Sequence, residues 1–257
     1  MQRLMLMDAF EYRASYWFWV FIQTLPIIGI YFLWSAIIPA GGSLKGYNYQ
    51  AILTYYIGVT IAVRIIQSTP EWDLNWSINE GYFTYYLYRP ISPYLEMLSV
   101  RIAMKIFNLM LFIPAISLII YLLGSNIALP SLANLLLFFG FCLISFVIMF
   151  TISFTVGLIA FWWENAAAIF YFKNAIVALL SGYTIPFEFF PAKFQNFLNI
   201  LPFKYVAYFP AKIFQGQLSL GEIGKGALLA LLWMLILLTI MRFIYLKGLR
   251  RYSAVGG

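Results

Sequence analysis

The sequence predicts an all-α, polytopic membrane protein: six transmembrane helices, an N-terminal interfacial helix and both termini cytoplasmic. Three observations carry this. Of 257 residues, 63% are hydrophobic and 10% charged, against roughly 45–50% and about 25% in a soluble domain. So few charges cannot cover a water-facing surface. Apolar runs also recur at about the 20 residues that a helix needs to cross a hydrocarbon core of roughly 30 Å. Finally, the runs are continuous rather than alternating, which fits helices and not the strands of a membrane barrel.

Six segments meet the length criterion. They are Tyr16 to Ala40 with Pro26 as a kink, Tyr47 to Ile66, Ile102 to Leu123 containing Lys105 and Pro114, Leu132 to Phe161, Ala166 to Ile185, and Gly226 to Leu246. The fourth is longer than one span needs, so it tilts, kinks near Gly140 or Gly157, or emerges into water. The first is expected to be retained, because it is too long for a signal peptide and lacks a small-residue cleavage pattern. The chain is read as one transmembrane domain, 1–257.

Orientation follows from the basic residues. With the N-terminus inside, the outer side holds only Lys45, Lys193, Lys204, Lys212 and Lys225 of the 16 Lys and Arg. The flipped arrangement reverses that bias. The net charge of +7 therefore reads as topology, and no basic patch on a water-facing domain is left to bind nucleic acid.

Residues 1–15 carry Leu4, Leu6, Met7 and Phe10 opposite Arg3, Asp8, Glu11 and Arg13. This suits an interfacial helix on the inner leaflet, or an N-terminal extension of the first span. Residues 64–101 form the inner loop between spans two and three. Thr69-Pro70-Glu71-Trp72-Asp73 has the form of a helix start: a capping Thr, Pro at the first position, and acids at the positive end of the dipole. Gly81 is a stop. Ser92-Pro93 starts a second helix that runs into span three. Between them lies Tyr82-Phe83-Thr84-Tyr85-Tyr86-Leu87-Tyr88-Arg89-Pro90. So aromatic a stretch suits either the membrane interface or a protein partner. Residues 186–225 form the outer loop, where Pro186, Pro191, Pro202 and Pro210 break the chain into short pieces. Their apolar character places them at the outer interface or re-entering the membrane beside protein.

Several chemistries are excluded. The chain has no histidine and one cysteine, Cys142, so His-dependent triads, His-ligated metals and disulfide scaffolds fall away. Gly216 to Gly221 has the glycine spacing of a phosphate loop, but Glu222 and Ile223 follow where Lys and Ser/Thr are required. The Gly-Gly-Ser-Leu-Lys stretch around Ser43 and Lys45 reads as a turn rather than a Ser–Lys dyad. No acid lies at a span centre to couple an ion gradient. Lys173 is the deepest basic residue; it either binds an anionic substrate group, snorkels, or pairs internally.

The pattern as a whole resembles the membrane subunit of an ABC-2 type exporter. The residues that carry the resemblance are Glu80-Gly81, Leu87 and Arg89-Pro90-Ile91-Ser92-Pro93 leading into span three. Gly182 to Pro186, Pro191, Leu201-Pro202-Phe203 and Pro210 before the last span add to it. The likeness covers nearly the whole chain in topology; its motifs are short, and the aromatic loop and long fourth span depart from it. It implies a permease subunit in a prokaryotic plasma (inner) membrane, forming half of an export path for a hydrophobic or amphipathic substrate. Its partners would be ABC ATP-binding subunits and a second permease, identical or paralogous. ATP and Mg would sit on the ATP-binding subunits and no cofactor on this chain, which would itself catalyse nothing. Trp76, Glu80, Gly81, Tyr82, Phe83, Leu87, Arg89 and Pro90 would dock on the ATPase. Trp19, Phe21, Tyr31, Tyr55, Tyr56, Phe170 and Lys173 would line the path. The competing reading is a membrane scaffold or stand-alone membrane enzyme without an ATPase partner.

Overall fold

The computed structural model describes residues 28–38 and 42–252, with Ile22 and Leu25 ahead of them. The expected interfacial helix, the Pro26 kink, Trp19 and Phe21 lie outside the described residues. The helix α1, Ile28–Ile37, leads to a hairpin of two-residue strands, β1 Ser43–Leu44 and β2 Tyr47–Asn48. Its turn places Lys45 and Gly46 at positive φ, 53° and 85°, the backbone a tight antiparallel turn demands.

Helix α2, Tyr49–Ile66, starts where Asn48 accepts from the Ala51 amide through its side chain at 2.7 Å. Helix α3, Pro70–Asn79, follows after a short break. Pro70 and the acids sit in the first turn as the sequence predicts, but Thr69 makes no side-chain cap. Gly81 takes the left-handed conformation, φ 78°, and a four-residue helix α4, Thr84–Leu87, comes next. Helix α5, Pro93–Leu123, is capped by Ser92 and runs from the loop into the third apolar segment. It bends by 41° between Met110 and Phe112. Pro114 accounts for the bend, because it has no N–H for the Met110 carbonyl four residues back.

Helix α6, Leu132–Gly157, passes through Gly140 unbroken and tightens into a 3₁₀ turn over Leu158–Phe161. Helix α7 is Ala167–Leu180, 14 residues long. At about 1.5 Å per residue that is about 21 Å, short of a hydrocarbon core of roughly 30 Å. The expected fifth span to Ile185 is thus cut back, and the chain turns at Gly182 with φ 81°. The prolines then divide the segment that follows into a 3₁₀ turn at Phe187–Phe189, α8 Ala192–Ile200, a 3₁₀ turn at Pro202–Tyr205 and α9 Tyr208–Phe214. Helix α10, Leu220–Leu249, begins six residues before the expected last span, at a capping box of Ser219 and Glu222.

Among the described residues, three helical stretches are long and apolar enough to span a bilayer: 49–79, 132–161 and 220–249. The bent helix α5 makes a fourth. Helices α1 and α7 are shorter apolar helices. The protein is all-α and membrane-embedded, with fewer full-length spans in the described residues than the six expected. Helix α6 is the axis of the bundle, packed by α2, α3, α9 and α10. Its middle lies in a cluster with Leu53, Ile57, Phe138, Phe141, Phe209 and Phe214. At one end Phe150, Phe154 and Phe161 pack with Leu74 and Phe83. At the other, Trp34, Tyr47, Tyr55 and Tyr56 form a third cluster.

Candidate functional site

The loop that follows α3 is held by its own backbone. The Phe83 amide donates to the Ser77 carbonyl at 2.7 Å. The Gly81 carbonyl accepts from Thr84 Oγ1 and from the Tyr252 hydroxyl, the latter at 3.0 Å. The end of α10 therefore lies at the same end of the bundle as this loop. A side chain at Gly81 would be strained at that φ, so glycine is the residue that lets the chain reverse.

Reversal sorts the aromatics. Phe83 turns inward and is fully buried, with ring centroids 5.3 Å from Phe161 and 5.5 Å from Tyr252. It is a structural plug rather than an exposed knob. Trp76 and Tyr82 turn outward, 56% and 59% exposed, and stack at 4.8 Å. Glu80, Leu87, Arg89 and Pro90 are also exposed, and Gly81 is half-buried. Arg89 is fixed by an ion pair with Glu96 and lies 4.0 Å over the Tyr85 ring. A groove of about 520 Å³ runs beside these residues, lined by Trp72, Asp73, Trp76, Tyr82, Tyr85 and Tyr86, with Ser77 at its floor. Asp73 is ion-paired with Arg101 of α5.

Helix α3 is anchored to the bundle beneath this surface. It lies against the end of α6 at Gly157, where a Cβ would come 2.8 Å from the Glu71 Cα. Glu71 points inward and is fully buried. The Lys173 ammonium, on α7, donates to Glu71 Oε1 at 2.7 Å and to Ser153 Oγ, on α6, at 2.9 Å. The second carboxylate oxygen, Oε2, is buried without a hydrogen-bond partner. Next to it, Trp72 packs edge-on against Phe170 at 5.1 Å and Tyr171 at 5.5 Å. The Asn79 amide closes the contact by donating to the Glu164 carbonyl at 2.7 Å.

The residues expected on the path are mostly sealed. Phe170 is fully buried and Lys173 is 6% exposed. Tyr55 and Tyr56 are buried, and their hydroxyls donate to the Gly182 and Thr184 carbonyls at 2.7 and 2.8 Å. Those bonds satisfy backbone groups freed where α7 stops short. Tyr31 is half-buried, edge-on to Tyr49 at 5.8 Å. A small cavity of about 130 Å³ does open between α2, α6 and α7. Val63, Gln67, Met149, Asn174, Val177, Ser181 and Tyr183 line it. Sequence reasoning did not single out Gln67, just past the end of α2, or Asn174, in the middle of α7, although a carboxamide inside an apolar helix was a usable signal.

At the opposite end, Lys212 of α9 pairs with Glu188 at 2.7 Å. The Tyr208 and Tyr47 hydroxyls donate to the same carboxylate at 2.8 and 3.1 Å, and Lys212 also donates to Gln217 Oε1 at 2.7 Å. Partial burial works against the Glu188 charge, but the Lys212 contact and the Tyr208 hydroxyl outweigh it, so the carboxyl is held below its ordinary range. Burial, and then the adjacent carboxylate, push the Tyr208 phenol up, so it stays a donor.

Among the described residues no three His, Cys, Asp or Glu side chains come together as metal ligands. What the arrangement offers is an exposed, aromatic loop tied by a buried ion pair to a short helix in the bundle. No curated protein and no solved structure matches the chain. The model of the ABC-2 family transporter proteins matches residues 24–256, nearly the full length and including both the loop and the short helix; the chain is a multi-pass membrane protein belonging to that family, whose members are transporter membrane components that generally work with ABC ATP-binding subunits.

Proposed function

We propose that the chain is the permease subunit of an ATP-driven ABC exporter in a prokaryotic plasma membrane. It forms half of the path for a hydrophobic or amphipathic substrate, and a second permease forms the other half. The family assignment over residues 24–256 carries this reading. The geometry supports it in two ways. Trp76, Glu80, Tyr82, Leu87 and Pro90 form an exposed surface fixed from below, as a docking loop requires. The cavity between α2 and α7, about 130 Å³, is well under the roughly 300–1,000 Å³ of a complete small-molecule site. A facing subunit would complete it. Six spans with both ends cytoplasmic remain part of this proposal, with the docking loop and the end of α10 on the cytoplasmic side.

The test is co-purification of the tagged chain from its native membrane in mild detergent. An ATP-binding subunit should accompany it and be lost on Glu80→Arg or Leu87→Asp, while the chain itself keeps its melting temperature. A second permease in the same complex would fix the pairing. Recovery of the chain alone across several detergents would turn the reading toward a scaffold or stand-alone membrane enzyme.

A further inference from the structure

We propose that the buried Glu71–Lys173 pair is the latch that makes α7 follow α3, so that movement of the docking loop reaches the helix beside the cavity. This rests on the exporter reading and adds a positioning role that the family assignment does not supply.

Two charges taken out of water gain little over an apolar pair of the same volume, because desolvation offsets their attraction. Here the compensation is incomplete, since Glu71 Oε2 has no hydrogen-bond partner. Stability alone therefore gives no reason for the pair. Direction does. Helix α3 rests on α6 through the close approach at Gly157. It reaches α7 through side chains: Lys173 to Glu71, and Trp72 to Phe170 and Tyr171. An ion pair with a hydrogen bond holds distance and angle, whereas ring contacts tolerate sliding. Ser153 gives the ammonium a second partner on α6 at 2.9 Å, so Lys173 sits where the three helices meet.

The placement also sets what the latch can move. Asn174, the next residue on α7, lines the cavity together with Val177 and Ala178. A shift of α3 carried by Lys173 thus arrives one residue from that wall. Helix α7 suits such a role: it is short, 14 residues, and its far end is bounded by the Gly182 turn.

The experiment uses the complex of the chain with its ATP-binding subunit in lipid nanodiscs. A single bimane label is placed at Leu179→Cys, an exposed site on α7, in a Cys142→Ala background. ATP with vanadate should shift its emission in the parent. The double variant Glu71→Leu/Lys173→Met removes both charges without stranding either. It should co-purify with the ATPase at the parental level yet lose most of the emission shift. Lys173→Arg, which keeps the ion pair, should retain the shift. An undiminished shift in the double variant overturns the latch and leaves the exporter reading intact. No shift in the parent, in a complex that still hydrolyses ATP, overturns the latch alone, whereas failure to recover any ATP-binding subunit overturns the exporter reading on which it rests. If the double variant does not assemble, Glu71→Met, which removes the acceptor altogether, takes its place, and an undiminished shift there overturns the latch equally.

Discussion

The two ends of the bundle use the same chemistry for different ends. Each has one glutamate and one lysine joined at 2.7 Å. At the loop end, Glu71 is 0% and Lys173 6% exposed, and the carboxylate is under-satisfied. At the opposite end, Glu188 is 28% exposed and accepts from two tyrosine hydroxyls besides its lysine. The first pair is dry, rigid and costly to break. The second is wetter and richer in alternative donors, so losing one partner leaves others. Burial rather than the pairing itself decides what an ion pair contributes.

The largest effect that follows is at Lys173. Lys173→Met alone strands the buried Glu71 charge and should cost about 4 kcal/mol, read as a large drop in melting temperature in detergent. Lys212→Met should cost far less, because Glu188 keeps two hydroxyl donors and some water. The double variant Glu71→Leu/Lys173→Met should recover most of the loss, since replacing a buried pair by packed apolar groups is often neutral. Equal losses at Lys173 and Lys212 would dissolve the contrast between the two ends.

Next comes the packing beneath the loop. Phe83→Ala empties the pocket among Phe161, Tyr245 and Tyr252 and should cost about 3 kcal/mol. Trp76→Ala, at a ring that is 56% exposed, should leave the melting temperature nearly unchanged. Gly157→Ala should cost about 2 kcal/mol, because its Cβ would stand 2.8 Å from the Glu71 backbone and push α3 off α6. If Gly157→Ala spares stability but weakens the contact between α3 and α7, measured by disulfide cross-linking of Trp72→Cys with Tyr171→Cys, the anchor is softer than its geometry implies.

Sequence reading reached some of this and stopped short of the rest for physical reasons. Apolar runs located the three long helices and the bent α5 because hydrophobic length is a local property, whereas, among the described residues, α1 and α7 are shorter than the runs suggested. The Ser92-Pro93 start and the Gly81 reversal were legible too, because caps and positive φ depend on a few neighbouring residues. The inward turn of Phe83 was not. Among Tyr82, Phe83, Tyr85 and Tyr86 no apolar period separates inside from outside, and the Ser77 carbonyl that captures the Phe83 amide fixes the choice. Lys173 stood out as a deep charge, but its partner Glu71 is 102 residues away, and Glu71 read equally well as a first-turn acid. Tyr55 and Tyr56 bond carbonyls 127 and 128 residues on, made available only because α7 ends early.

The smallest effect, and the finest test of the contrast, is pH. Glu188 is held below its ordinary value of 4.5. A carboxyl depressed on folding adds stability that is fully present above its unfolded pKa and is lost as pH falls through its folded pKa. The contribution of Glu188 should therefore be constant from neutral down to about pH 5 and fade below that. Melting temperatures measured across that range should decline less steeply in Glu188→Gln than in the parent, and the two curves should converge in acid. Replacing Tyr208 by Phe removes one of the donors that hold the carboxylate ionised, and should move the parental decline to higher pH without abolishing it. The sign of that shift decides the point: a move to lower pH would mean that the hydroxyl favours the protonated acid, and the wetter end would then owe its tolerance to water and Lys212 rather than to its tyrosines.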